Sequence, residues 1–202
     1  MNIADDLSST PLPPAAPASS AAADPPLRVG LDVRPWHMSG LGTFVQELLA
    51  ATARLGLPTA WTLVGPGALR EEMPEGLTVE RWIDFDEPLY SLRSTLAYPR
   101  LPPLDVFHYP HYNLPLIGAR RAVATVFDLF HLHYGGWPKR RYQSLFLRRL
   151  RWSRCAVMTS SEKTARELTA EFGVPRRRIH CIALGPGRSP QSAAAAHRRD
   201  GP

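Results

Sequence analysis

From Leu27 onward, short apolar runs take turns with longer stretches of helical period. "LRVGLDV" (27–33) is a compact apolar strand, and the loop "RPWHMSGLG" follows it. "TFVQELLAATARLG" (43–56) then places Phe44, Leu48, Ala51 and Leu55 on one helical face and stops at Gly56, a natural helix terminator. "TAWTLVG" (59–65) and "LTVERWI" (77–83) are strands, and "PLYSLRSTLAYPRL" (88–101) has a helical pattern cut by Pro99 and Pro102. The rest alternates in the same way. "DVFHYP" and "AVATVFD" are strands, "KRRYQSLFLRRLRWS" a helix, "CAVMTS" a strand, "SEKTARELTAEFG" a helix, and "RIHCIAL" a strand.

Strands alternating with helices predict βα units. The fold class expected is α/β, with a doubly wound, mostly parallel sheet of Rossmann-like type over residues 27–184. Residues 1–26 ("STPLPPAAPASSAAADPP" in their second part) are too rich in Pro, Ala and Ser to bury a core and are expected to be disordered. Residues 185–202 have linker or tail composition, with a second domain expected to be absent. Hydrophobic content of 44% and charge of 21% are globular values. The apolar runs are too short to span a bilayer. Asp5 and Asp6 near the start do not make a basic secretory leader. Cys155 and Cys181 lie in apolar runs and are expected as buried, inert thiols, with a cytoplasmic location.

The net charge of +6 is unevenly placed. Residues 139–178 carry 12 Lys or Arg against 3 Glu, a local +9, so the remainder of the chain is −3. Such a region suits an anionic partner: nucleic acid, anionic lipid or a nucleotide-linked substrate. No recognition motif for nucleic acid is present, and none is expected as a partner. The Arg-rich helix has two readings, a half-solvated helix of the domain or one lying on an anionic membrane, which would make the protein peripheral at the inner membrane face.

In an open α/β sheet, ligands bind beyond the carboxyl ends of the strands. The first strand delivers Arg34 and a loop with Gly40 and Gly42, where backbone N–H groups and a helix N-terminus can meet an anion; the plain alternative is a tight turn. The spacing is not that of a dinucleotide-binding loop. Later strands deliver His108, Tyr109, His111, Tyr112 and Asn113, then Asp128, His131 and His133, then Ser160, Ser161 and Glu162. These hydrogen-bonding and stacking groups suit a polyhydroxylated ligand. The histidines and Asp128 also raise a zinc reading, but their spacing matches no familiar site, so no metal is expected. One of the two serines is expected to cap the next helix.

The segments "VGLDVRP…SGLGTFVQELL", "DVFHYPHYNLPL", "AVATVFDLFHLHY" and "VMTSSEKTARELTAEFGVPRRRIHCI" together resemble the N-terminal domain of family 4 of the retaining GT-B glycosyltransferases. The resemblance covers about residues 28–184. It implies transfer from a nucleotide-sugar donor to a glycan or lipid-linked acceptor, without a metal or other cofactor. Gly40 and Gly42 match the loop near the donor phosphates. His108, His111, Tyr112 and Asn113 match the acceptor side of the cleft, with His131 and His133 nearby. Asp128 matches the Asp of a catalytic His-Asp pair. Ser161, Glu162 and Thr164 match the helix opening that borders the cleft. Two positions depart from the family pattern: Phe127 stands where the His of the pair belongs, and Thr43 where a basic residue is common. A GT-B enzyme closes its site with a second Rossmann-like domain. The expectation is therefore an acceptor-side domain, inactive alone and completed by a C-terminal domain or a partner chain. The alternative is a non-catalytic module that binds a glycan or partner and assists another glycosyltransferase.

Overall fold

The computed structural model of the protein describes residues 25–129 and 136–185. The expectations for residues 1–24, His131, His133 and 186–202 fall outside the described residues.

Seven strands form one sheet: β1 (Leu27–Asp32), β2 (Thr59–Gly65), β3 (Val79–Asp84), β4 (Val106–Tyr109), β5 (Ala122–Thr125), β6 (Ala156–Thr159) and β7 (Ile179–Cys181). Their order is β3-β2-β1-β4-β5-β6-β7, and every neighbouring pair is parallel. The chain winds outward from β1 in one direction and then, from β4, in the other. This is the doubly wound Rossmann-like order, and its switch point lies between β1 and β4, where Leu31 is in register with His108.

The helices are α1 (Leu41–Arg54), α2 (Leu92–Leu96), α3 (Trp137–Trp152) and α4 (Glu162–Phe172). Alternate strand residues feed two cores. Val29, Leu31, Trp61 and Leu63 pack with Val45 and Leu49 of α1. Phe107, Tyr109, Ala124 and Val157 pack with Leu147 and Leu150 of α3 and Leu168 and Phe172 of α4. Each fully buried leucine contributes about 2 kcal/mol by transfer from water, so these two stripes anchor the helices that frame the site.

Two details differ from the pattern read in the sequence. The buried face of α1 is Gly42, Val45, Leu49 and Thr52 rather than the Phe44–Leu55 stripe. The cause is at the helix start. A Cβ on Gly42 would collide with the Trp36 and Pro35 carbonyl oxygens, so this close approach fixes the helix's rotation. Thr52 tolerates burial because its Oγ1 donates to Leu48 O at 2.8 Å. Phe44 is left at the rim, and Leu55 is exposed. The expected helix over 88–101 shrinks to α2. Ser91 accepts from Ser94 N at 2.9 Å and sets its start, and the Tyr98–Pro99 junction disfavours helix beyond. Cys155 is buried, but Cys181 is only partly so and bonds Glu162, which pushes its thiol up, so only one of the two fits the inert-core expectation.

Candidate active site at the carboxyl edge of the sheet

The polar residues at the switch point divide into a sealed layer and an open one. The sealed layer centres on Asp32, the last residue of β1, which is fully buried. Its carboxylate accepts from Arg34 Nε at 2.9 Å and Nη2 at 2.5 Å, from the Tyr98 hydroxyl at 3.2 Å and from His111 Nε2 at 3.2 Å. The Arg34 side chain, only 3% exposed, spends Nη1 on Glu87 O and Ser94 Oγ, both at 3.0 Å. Its guanidinium lies over the Phe85 ring at 4.8 Å and the Tyr98 ring at 5.3 Å. Burial opposes the charge on Asp32, but the bonds from His111 and Arg34 and the Arg34 cation outweigh it, so the carboxyl is held well below the usual range. Burial lowers His111 against the pull of Asp32, so the imidazole is neutral near pH 7 and its Nε2–H donates to the carboxylate. Its Nδ1 is buried with no hydrogen-bond partner among the described residues.

Asn113, also buried, extends this layer. Its Nδ2 donates to Leu89 O at 2.5 Å, and its Oδ1 accepts from Thr95 Oγ1 and the Tyr142 hydroxyl, both at 3.3 Å. His111 and Asn113 thus lie beneath the surface, bonded to the fold itself, rather than on it.

The open layer lies across β4, β5 and β6. His108, next to last in β4, has Nε2 at 2.7 Å from Thr125 Oγ1, and its ring meets Phe44 edge-on at 5.6 Å. Burial, with the neighbouring His111, lowers its pKa to about 4. Phe44 in turn meets Phe127 edge-on at 5.1 Å. Phe127 O accepts from Thr164 Oγ1 at 3.3 Å, which ties the end of β5 to the first turn of α4. Ser161 caps that helix by accepting from Thr164 N at 3.1 Å. Ser160 beside it is partly exposed. Asp128 is exposed. Burial, then the neighbouring Tyr142 and last the Asp128 charge push the Tyr90 phenol up to about 12, and burial, then Tyr90 and Tyr142 ahead of Asp128, push the Tyr112 phenol higher still. Tyr90 and Tyr112 face each other at 5.6 Å with tilted rings.

The structure therefore gathers His108, Tyr112, Phe127, Asp128, Ser161 and Thr164 at one edge, with Phe44, Tyr90 and Tyr142 added. Glu162 turns away to pair with Arg176 at 2.9 Å. Gly40, at φ 71°, is exposed at the head of α1, whereas the Gly42 N–H already donates to Met38 O at 2.8 Å. Neutral phenols, hydroxyls, one carboxylate and aromatic faces can stack on and hydrogen-bond a polyhydroxylated molecule. Among the described residues, no group of three His, Cys, Asp or Glu is placed to hold a metal ion. A separate pocket of about 370 Å³ lies against the edge strand β3, and none of the candidate residues lines it.

Sequence reasoning passed over Asp32, Phe44, Tyr90, Tyr98 and Tyr142. Asp32 carried a signal, an acid set within an apolar strand, which is costly unless a cation is nearby. The helical pattern places Phe44 in the helix core, Tyr90 and Tyr98 in a helix that proves mostly loop, and Tyr142 in the Arg-rich helix.

A profile of the family described as glycosyl transferase 4-like domain matches residues 39–185. No curated protein matches the chain. The matched residues run from the loop before α1 to the end of the sheet, and they carry both layers of the site apart from Asp32 and Arg34. The chain belongs to the glycosyl transferase 4-like domain family, with the Rossmann-like architecture of a GT-B half.

Proposed function

We propose that this domain is the acceptor-side wall of a retaining glycosyltransferase, one that moves a sugar from a nucleotide-sugar donor to a glycan or lipid-linked acceptor. The carrying observation is the open layer at the carboxyl edge of β4, β5 and β6, where the facing rings of Tyr90 and Tyr112 lie near Asp128 and where His108 and Ser161 stand at neighbouring strand ends, in a chain of this family. Aromatic faces beside hydroxyls and a carboxylate suit a sugar ring, whose C–H face stacks and whose hydroxyls hydrogen-bond. Donor phosphates would approach Gly40 and the first turn of α1, where the helix dipole is positive. In this reading Asp128 is the group nearest the reacting sugar, no metal takes part, and a second Rossmann-like domain or a partner chain supplies the rest of the donor site.

The described residues offer one wall, so the 202-residue chain alone is expected to bind saccharide weakly and to transfer none. Saturation-transfer NMR with oligosaccharides and nucleotide sugars tests the binding, and a product assay tests the turnover. Saccharide signals that vanish in Tyr112→Ala are the expected result. Absence of any saccharide contact would overturn the acceptor role, and sustained transfer by the chain alone would overturn the expectation of inactivity.

A second reading has its own observation. Phe127 packs edge-on to Phe44 where a transferase of this family uses histidine, and a phenyl ring neither donates nor accepts the corresponding hydrogen bond. A module that binds a glycan or a partner while assisting another glycosyltransferase needs no such group. Supplying a donor-binding domain in trans separates the two readings, since only the first regains transfer.

A further inference from the structure

The helix α3 has two faces, and only one is used by the fold. Gln143, Phe146, Leu147 and Leu150 are buried toward the sheet. On the opposite face, at successive helical turns, stand Trp137, Arg141, Leu145, Arg148 and Trp152. Trp137 is 69% exposed, Leu145 59% and Trp152 77%. The helix carries six Lys or Arg and no acid. Arg149, on its flank, donates to Leu114 O at 3.1 Å and Pro115 O at 3.3 Å, and so holds beside α3 the loop that exposes Leu116 and Ile117.

We propose that this face of α3, with the Leu116–Ile117 loop, docks on an anionic phospholipid bilayer. Indole rings favour the boundary between headgroups and acyl chains. The two exposed tryptophans stand at opposite ends of a helix about 24 Å long. Leu145, Leu116 and Ile117 supply apolar area between and beside them. Arg141 lies over the Trp137 ring at 5.0 Å and Arg151 over the Trp152 ring at 4.7 Å, so each indole is paired with a phosphate-seeking cation. Anionic lipid attracts each such cation. A second copy of the chain would bring like charges together. A nucleic acid would answer the arginines but leave three aliphatic side chains in water.

The topology gives the docked domain a direction. A helix between parallel strands runs antiparallel to them, so α3 starts at the carboxyl edge of β5, where the open layer of the site lies. With α3 flat on the bilayer, the Trp137 end brings that edge close to the lipid surface. Docking stands apart from the transferase reading, because bilayer binding needs no turnover.

The test is sedimentation of the full chain with vesicles of phosphatidylcholine alone and of phosphatidylcholine mixed with phosphatidylglycerol. Binding is expected only to the anionic vesicles, falling as salt rises. Arg141→Glu with Arg148→Glu should weaken it by at least about tenfold. Trp137→Ser with Trp152→Ser should weaken it by a similar factor of about ten. These side chains are exposed, so circular dichroism should not change. Arg54→Glu, on α1 in the other helix layer, should leave binding intact. The proposal is overturned by no binding to anionic vesicles, or by an equal loss in Arg54→Glu. Vesicle binding that ignores the tryptophans, beside salt-sensitive binding of a single-stranded oligonucleotide, would assign the face to nucleic acid instead.

Discussion

His108 and His111 belong to one short motif, "HYPH", at the end of the same strand, and they do different work. His111 is fully buried and bonded to Asp32, inside a net of Arg34, Tyr98 and Ser94. His108 sits on Thr125 beside Phe44, with Tyr112 in the loop after the same strand, Asp128 after β5 and Tyr90 before α2. One set of polar groups is buried and bonded into the fold, with His111 Nδ1 the exception among the described residues, and the other lies at or near the surface. Polar residues at a sheet's carboxyl edge therefore cannot be counted as one site. The discriminating fact is whether the side chain is sealed from solvent.

The sharpest way to break that comparison is to strike the sealed layer. Arg34→Met leaves the Asp32 carboxylate buried without its cation, and should cost about 3–5 kcal/mol in urea denaturation. Adding Asp32→Asn removes the orphaned charge, so the double variant should lose less than the two single losses combined. A cost for Arg34→Met of under about 1 kcal/mol would mean that the buried layer is dispensable to the fold.

Acidity probes both histidines at once. His108 and His111 have folded pKa values below the ordinary 6.5, because burial disfavours the imidazolium. Below pH 6.5 the unfolded chain therefore takes up protons that the folded chain refuses, and stability falls as pH falls. For His108 the window closes near its folded value of about 4, and the loss across it is at most about 3 kcal/mol. Asp32 acts in the same direction but lower, since its depressed folded pKa gives stability that is present above the unfolded value of 3.8 and lost as pH drops further. Urea midpoints from pH 7.5 to pH 4.5 should decline, and His108→Gln should flatten part of the slope. A midpoint that is level over that range would contradict the burial of both rings.

Ser161 tests a smaller term on the open side. Its hydroxyl accepts from Thr164 N, so Ser161→Ala should cost about 1 kcal/mol and Ser161→Asp much less. A helix-capping role alone predicts that Ser161→Asp binds saccharide normally; loss of binding in that variant would place the hydroxyl in the site as well.

The sheet was legible because its strands are bounded by glycine, proline and polar turns, and because strand and helix periods differ clearly. The segment from Leu89 to Tyr98 was not. Its helical pattern survives only over α2, which the Ser91 cap starts late and the Tyr98–Pro99 junction stops early. The site was legible as a set of residue types. Which of them face outward was not, because nothing in "HYPHYN" distinguishes a histidine that will meet Asp32, seventy-nine residues earlier, from one that will not. The acid inside "VGLDV" and the Arg two places on were the available clue that a buried partner would be required.

The open layer should respond least in stability and most in ligand contact. Tyr112→Phe removes one hydroxyl from a half-buried ring and keeps the stack on Tyr90, so stability should move by no more than about 0.5 kcal/mol. Saccharide signals should nonetheless weaken. The phenols of Tyr90 and Tyr112 stay protonated far above neutrality, which makes them hydrogen-bonders and never charges from pH 7 to pH 9. Saccharide binding should then be level across that interval, while the histidine-linked decline in stability begins only on the acid side. Binding that tracks the acid decline would mean that the sealed layer, through its link from Asn113 to Tyr142, governs the open one, and that the two regions work as a single unit.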